Sequence, residues 1–260
     1  FLGDKSGAYN VDGFYNVYIG TQAGYMSNGS SNVIIGWNSN FQAFSSTGER
    51  NVIIGAGSAT YVKGNSNVLI GCGVVDGEGT LDNQLFIENC GDVANPMING
   101  DFANSRIAFH ARATTHPLQV GTNSTNGNGA YLSVGGVWTN TSSKSLKEGF
   151  VVLDRVSLLS KISDLTIEGW YYKGTREYHI GPFAEDFYKA FGTGDVESAE
   201  AEKFLSPSDV AGVALTGVQE LIKKTEAQDQ TIEKQRKELE SQQQQIDQLK
   251  MLVEKLMNKE

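Results

Sequence analysis

The chain has 260 residues, a net charge of −9, and 30 glycines against four prolines. This acidic balance argues against nucleic-acid or anionic-membrane surfaces, which need basic patches. No apolar run approaches the roughly 20 residues that span a bilayer, so we expect no membrane insertion. Two cysteines, Cys72 and Cys90, and three histidines are too few for a disulfide framework or a zinc site. We therefore expect no metal, no cofactor and no disulfide-rich secreted fold.

Glycine and charge are distributed unequally along the chain. Of the 30 glycines, 22 lie in residues 1–141, whereas most of the charged residues lie in 142–260. The sequence thus predicts two different parts that join near residue 141. It opens at Phe1 without a signal peptide, and we expect it to be a piece of a longer protein.

The first part contains a repeat. The pattern Asn-Val-Xaa-Ile-Gly occurs at 16–20, 32–36, 51–55 and 67–71, and Gly3 fits a truncated earlier copy. Alternation of Val and Ile is typical of a strand, and the glycine that follows allows a turn. Because so short a strand cannot bury an apolar face alone, the repeat predicts a β-solenoid or β-roll over residues 1–80. The second and third copies are 19 residues apart, whereas the other neighbouring copies are 16 apart, which places a three-residue insertion around 44–50.

These copies resemble the head repeats of trimeric autotransporter adhesins and the glycine-rich shafts of phage tail fibres. We interpret Asn16, Asn32, Asn51 and Asn67 as turn or ladder residues. Calcium is not expected, because Asp76 and Asp82 do not repeat. Several aromatic residues favour core or trimer-interface packing, with a sugar-stacking surface as the alternative: Tyr15, Tyr25, Trp37, Phe41, Phe44 and Tyr61.

Residues 81–141 lose the repeat but keep short runs typical of strands, and they predict a β-rich connector. These runs are 85–88, 106–109, 118–120 and 131–134, separated by turn clusters such as 123–129.

From Ser142 the pattern predicts an α+β domain over 142–217. A first apolar segment runs from Leu146 to Ile162, and 167–172 is a strand candidate. A helix is predicted within 181–192, ending at Gly192, and Ser206–Asp209 looks like the start of a final helix.

The final helix carries heptads over 218–260. Position a falls on Val218, Thr225, Ile232, Leu239, Ile246 and Val253, and position d on Leu221, Gln228, Gln235, Gln242, Leu249 and Leu256. Sevenfold spacing predicts a coiled coil, and the three polar d layers specify register and oligomer state at some cost in stability. A lone amphipathic helix packed on its own domain is the alternative. We expect a homotrimer, although the heptads alone are also compatible with a dimer.

Three ordered motifs carry a second resemblance: 141–148 (Thr-Ser-Ser-Lys-Ser-Leu-Lys-Glu), 178–187 and 212–215. Together with the terminal heptads they resemble the C-terminal intramolecular chaperone domain of endosialidase-type tailspikes and tail fibres, a self-cleaving peptidase family. The resemblance implies a catalytic Ser142, a Lys147 five residues later, and cleavage between Thr141 and Ser142. Two departures are the adjacent Ser143 and a Gly-Pro-Phe-Ala-Glu-Asp-Phe block that lacks the family's usual Gln.

The chemistry that the resemblance implies suits these residues. A serine hydroxyl needs a base, and a lysine can serve when burial disfavours its ammonium form. No Gly-Xaa-Ser-Xaa-Gly pattern competes. His179 could orient the site, and a structural role is the alternative. Any enzymatic activity would be a single-turnover serine endopeptidase. A glycosidase needs paired carboxylates in a cleft, and none is expected here.

We therefore expect a trimeric fibre protein of the tail-fibre type whose C-terminal domain templates trimerisation and folding, and which can release itself by autoproteolysis before Ser142. The expected partners are two further copies, an upstream part attached to a virion, and a host cell-surface receptor or glycan. The alternative is a bacterial trimeric surface adhesin, on the cell surface or outside it, that carries the same domain without cleavage.

Overall fold

The computed structural model describes residues 1–41, 48–75, 79–90, 94–113, 115–195, 198 and 200–258. The chain forms two compact units, Phe1–Glu148 and Gly149–Glu260. Most of the predicted insertion at 44–50, together with Phe44 and Asp76, lies outside the described residues.

The first unit begins as a β-solenoid of about four turns. We call each turn a rung. One strand per rung forms a parallel stack: β1 (Val17–Ile19), β2 (Val33–Ile35), β3 (Val52–Ile54), β5 (Val68–Ile70) and β7 (Gln84–Ile87). The equivalent valines pair directly from rung to rung, and Leu85 continues their column. A second, smaller parallel pair joins β4 (Val62–Lys63) to β6 (Gly79–Thr80). The predicted solenoid is confirmed.

The core is built from the central residue of each strand and not from the Val and Ile that mark the repeat. These central residues are all buried, namely Tyr18, Ile34, Ile53, Leu69 and Phe86. Since successive side chains of a strand point to opposite faces, the flanking Val and Ile form an outward stripe. They are half-buried or exposed, and the most exposed is Val17.

A glycine ends each regular strand because neighbouring backbones approach too closely for a side chain. Gly36 and Gly55 adopt φ of 136° and 138°, which L side chains rarely adopt. A Cβ on either would overlap the carbonyl of the glycine one rung further on. The motif's glycine is therefore a packing requirement as well as a turn residue.

The repeated asparagines form a hydrogen-bonded ladder inside the solenoid. Asn16 Oδ1 accepts from the Asn32 backbone N–H at 2.8 Å, and Asn32 Oδ1 accepts from that of Asn51 at 3.0 Å. Asn51 Oδ1 does the same for Asn67 at 3.0 Å, and Asn67 Oδ1 for Gln84 at 2.9 Å. Their amide groups donate to backbone carbonyls of the loops that follow them in the chain and lead into the next rung. The interpretation as ladder residues is confirmed.

The same sheet continues beyond the repeat and has ten strands in the described residues. The added strands are β8 (Ile98–Asp101), β9 (Arg106–Phe109), β10 (Leu118–Val120), β11 (Ala130–Leu132) and β12 (Trp138–Thr139). Here the pairing is antiparallel except between β9 and β10. All four predicted runs contain or overlap strands, whereas β8 and β12 were not predicted. A short 3₁₀ helix, Lys144–Leu146, follows.

The second unit is α+β and ends in a helix of 51 residues, as predicted. It contains α1 (Arg155–Asp164), the antiparallel hairpin β13 (Glu168–Tyr171) and β14 (Tyr178–Gly181), α2 (Ala184–Phe191), a 3₁₀ turn (Ala201–Lys203) and α3 (Pro207–Met257). Gly192 ends α2 in a left-handed conformation. Ser206 caps α3 by accepting from the backbone N–H of Ser208.

Only the beginning of α3 packs on the rest of its unit. Gly217 lies against Leu159 and Ile162 of α1, and Glu220, one turn later, is 4% exposed. The a and d residues of the predicted coiled coil, which we call the seam, lie on other faces of α3. Beyond Glu220 the described helix is exposed throughout.

Candidate functional site

The predicted junction is an exposed segment that follows the last strand of the first unit. Residues 140–157 are all exposed. The Ser143 side chain caps the 3₁₀ helix by accepting from the Ser145 backbone N–H, and its hydroxyl lies 2.8 Å from that of Ser145. The 3₁₀ turn shortens the path between Ser142 and Lys147.

The turn brings Lys147 to Ser142 and not to Ser143. Lys147 Nζ donates to Ser142 Oγ at 2.6 Å, within the range of a direct proton transfer. Ser143 is occupied with the capping contact. Of the two adjacent serines, Ser142 is therefore the one whose hydroxyl a neutral lysine could activate.

Ser142 and Lys147, which we call the dyad, are open to solvent in the single chain. Lysine accepts a proton only as a neutral amine, and desolvation is the effect that favours this form. In the described residues Ser142, Lys147 and their sequence neighbours are exposed. The contact of a Ser/Lys pair is thus present, and in the described residues both side chains are exposed to solvent.

His179 occupies the β13–β14 hairpin of the second unit. Its ring stacks on Trp170 with centroids 4.6 Å apart and meets Tyr172 edge-on. His179 Nε2 is buried and has no hydrogen-bond partner among the described residues. These contacts give His179 a packing role in the hairpin.

Three aromatic residues of the solenoid stack on each other along successive rungs. Tyr9 meets Tyr25 edge-on and Tyr25 stacks on Phe41, each with centroids 5.0 Å apart. A hydrogen bond with Tyr9 raises the pKa of Tyr25. Phe41 thus covers one ring face of Tyr25. Tyr15 and Trp37 are exposed, and Tyr61 is half-buried.

A disulfide joins Cys72 and Cys90, and the sequence analysis missed it. Their Cα atoms are 4.7 Å apart, and the Cys90 backbone N–H donates to the Cys72 carbonyl. The bond links the turn that follows β5 to the turn that follows β7. Aligning Gln84–Glu88 as a fifth, degenerate repeat would have placed the two cysteines on neighbouring rungs.

Two kinds of site are absent from the part of the chain that the structure describes. It holds no group of three or more His, Cys, Asp or Glu side chains placed to bind a metal ion. None of its helices has the length and apolar character needed to cross a membrane.

Comparison with known proteins adds no relative: no family model, curated protein or solved structure matches the chain.

Proposed function

We propose that this chain is a segment of a trimeric fibre protein whose part from Ser142 onward acts as an intramolecular chaperone for trimerisation and folding. The observation that carries the proposal is the exposed seam of α3. Its eight apolar a and d residues from Val218 onward are each at least 45% exposed. Apolar residues repeated in this way need a partner helix to be buried.

The three polar d layers support a matched register. Gln228, Gln235 and Gln242 are flanked by apolar d residues at both ends of the seam. A shift by one heptad would set a leucine layer against a glutamine layer. When the helices are in equal register, leucine layers meet leucine layers and glutamine layers meet glutamine layers. Buried polar residues specify register in coiled coils in this way.

The outward stripe of the solenoid supports the same assembly. Val17, Ile19, Ile107 and Phe109 are exposed on strands whose opposite faces are buried. Apolar side chains exposed in this way mark an interaction surface. Three chains held in register by the seam would bury their stripes together, and the high local concentration would offset the slow pairing of distant strands.

The Ser142/Lys147 pair would release the C-terminal part by cutting the chain between Thr141 and Ser142. Neutral Lys147 Nζ would take the Ser142 hydroxyl proton while Oγ attacks the Thr141 carbonyl carbon. The Thr141–Ser142 C–N bond then breaks, the Ser142 amine takes the proton, and an ester joins Thr141 to Ser142 Oγ. Water hydrolyses this ester to a Thr141 carboxylate and a free Ser142 hydroxyl. Each chain performs this once.

The proposed location is the virion, with an upstream fibre part for attachment and a host receptor or glycan as the target. A second candidate is a bacterial trimeric surface adhesin that keeps the domain uncleaved. The Cys72–Cys90 disulfide favours this candidate, because disulfides persist mainly in oxidising compartments outside the cytosol.

Sedimentation velocity of the purified chain at micromolar concentration tests the assembly. We expect a trimer for the native sequence and a monomer for Leu249→Asp, which places a charge in a d layer. Gln244→Asp, an exposed change outside the seam, is the matched control and should leave the trimer intact. A monomeric native chain, or a trimer that tolerates Leu249→Asp, would contradict the proposal.

A further inference from the structure

We propose that Ser143 is a positioning residue for self-cleavage, because its side chain caps the 3₁₀ turn that holds Lys147 against Ser142. This assignment deepens the function proposed above and rests on the cleavage between Thr141 and Ser142. It gives the second of the two adjacent serines a role in the same site without making it the nucleophile.

The two residues of the dyad lie at opposite ends of the 3₁₀ turn Lys144–Leu146. Ser142 immediately precedes the N-cap Ser143, and Lys147 is the C-cap. In a fully extended chain five residues span about 17 Å, which is too far for one lysine side chain to bridge. The 2.6 Å contact between Lys147 Nζ and Ser142 Oγ therefore depends on the turn.

Backbone hydrogen bonds and a side-chain cap close this turn. The Leu146 N–H donates to the Ser143 carbonyl at 3.2 Å, and the Lys147 N–H donates to the Lys144 carbonyl at 3.2 Å. The Ser145 backbone N–H donates to Ser143 Oγ at 3.4 Å. Ser143 has a φ of −64° and a ψ of 139°, which are the extended values usual at an N-cap. Its side chain is the part of this arrangement that a substitution can remove.

The cap matters because packing does little to hold the turn. Residues 142–148 are all exposed, and Leu146, the apolar residue of the turn, is 57% exposed. Helical segments in proteins owe most of their stability to the packing of an apolar face, and a 3₁₀ turn has poorer hydrogen-bond geometry than an α-helix. The fraction of chains in which the turn is formed should therefore respond to a single cap.

The other side of the bond to be cut is held by the sheet. Thr141 lies two residues after the end of β12, which pairs with β11. The Trp138 Nε1–H also donates to Asn140 Oδ1 at 2.9 Å. Residues 142–148 belong to no strand or α-helix of the described chain, so the turn determines whether the base and the nucleophile meet.

The effect on cleavage follows from the fraction of chains with the turn formed. Cleavage requires the contact within the dyad, so the observed rate scales with that fraction. Replacing a serine N-cap by alanine lowers the equilibrium constant for forming a helical turn about fivefold. Capping acts on position alone, and the neutral form of Lys147 still requires desolvation.

The variant Ser143→Asn separates a cap from a nucleophile. Asparagine is as good an N-cap as serine, because its side-chain oxygen accepts from the same backbone N–H. It has no hydroxyl that could attack a carbonyl carbon. Ser143→Asn should therefore cleave at close to the native rate if Ser143 is a cap, and not at all if Ser143 is the attacking residue.

Pulse-labelled cell-free synthesis of the full chain measures the cleavage rate, and mass spectrometry identifies the first residue of the product. We expect Ser143→Ala to cleave about fivefold more slowly than the native chain, with the product still starting at Ser142. Ser143→Asn should stay within about twofold of the native rate. Ser124→Ala, at an exposed serine of the same unit, is the matched control and should cleave as the native chain does.

The failure of this assignment is distinguishable from the failure of the proposed function. A native rate in Ser143→Ala, a Ser143→Asn chain that stays intact, or a product that starts at Ser143 would overturn the positioning role and leave the trimer standing. A native chain that is never cut would overturn the proposed release together with this assignment. Sedimentation of the same samples reads the assembly separately, and all variants should assemble as the native chain does.

Discussion

The solenoid rungs and the C-terminal unit differ in how far a single chain satisfies their polar groups and covers their apolar side chains. Inside the rungs, asparagine side chains and loop carbonyls satisfy one another within a single chain. In the C-terminal unit, the seam of α3 and residues 151–153 present apolar surface that nothing in the described chain covers. The first region satisfies its buried polar groups within one chain, whereas the second leaves apolar surface that further copies would cover under the proposed function.

The helix shows this contrast within its own length. Between Glu233 and Glu240 three pairs of opposite charge lie at i,i+4 spacing within the same helix. Such pairs contribute a few tenths of a kcal/mol each to an isolated helix. In the described residues the apolar seam side chains around them are exposed, and under the proposed function they are the ones that assembly would bury.

The largest effect that we expect follows removal of residues 218–260. A chain made without the seam should leave its solenoid part misfolded or insoluble, because the stripes of three chains would no longer be brought together. Proteolytic removal of the same residues after assembly should leave the solenoid folded. Soluble yield and far-UV circular dichroism measure both cases, and normal folding of a chain that ends at Thr141 would refute the chaperone role.

Breaking the asparagine ladder should destabilise the rungs directly. Asn51→Ala removes an acceptor from the Asn67 backbone N–H and a donor to the Gly64 carbonyl. Leaving buried groups unpaired costs about 1–3 kcal/mol each, so the free energy of unfolding should fall by at least about 2 kcal/mol. Asn89→Ala, at an exposed asparagine of the same unit, is the control for denaturant titration. Equal unfolding midpoints for the two variants would show that the ladder adds nothing.

Replacing the polar layers of the seam should stabilise the protein, in contrast to breaking the ladder. Gln228, Gln235 and Gln242 changed together to Leu should raise the melting temperature of the assembly, since apolar d residues pack better than polar ones. Gln230→Leu with Gln244→Leu, outside the seam, should not raise it. An unchanged or lower melting temperature in the triple variant would mean that the glutamines make contacts that stabilise the native seam.

The smallest expected effect concerns the tyrosine in the solenoid core. Tyr18 is buried and bonds Ser27 Oγ at 3.2 Å through its hydroxyl, and burial raises its pKa. Above about pH 10 the unfolded chain loses the phenol proton while the folded chain keeps it, so native stability should fall as pH rises. Tyr18→Phe should cost about 1 kcal/mol at neutral pH and remove this part of the alkaline loss.

Tyr15→Phe is the matched control for that measurement, because Tyr15 is among the most exposed tyrosines. Identical alkaline denaturation curves for the native chain and Tyr18→Phe would contradict the account of the core.

Local patterns were predictable from the sequence because they depend on neighbours in the chain. The Asn-Val-Xaa-Ile-Gly copies located four strands, and Gly192 and Ser206 marked helix ends. In each of these cases a few consecutive residues contain the whole cause. The pairing of Ser142 with Lys147 was instead implied by a family resemblance, and in the structure one 3₁₀ turn spans their contact.

Features that depend on distant residues were not predictable in the same way. Both faces of the repeat strands are apolar, so alternation could not decide that Ile34 and Ile53 enter the core while their valine neighbours do not. The strand Ile98–Asp101 contains Asn99 and Gly100, which are poor strand formers, and it is held by pairing on both sides. The disulfide depends on the stacking of rungs, which two isolated cysteines do not reveal.

Native mass spectrometry of the purified chain tests the central claim most directly, because it reads stoichiometry and covalent integrity together. We expect a complex of three 28.1 kDa chains that converts during incubation into products ending at Thr141 and starting at Ser142. Ser142→Ala and Lys147→Arg should assemble equally well and stay uncleaved, since neither alters the seam and a guanidinium cannot act as the base. A native chain that remains a single intact 28.1 kDa species would contradict the account.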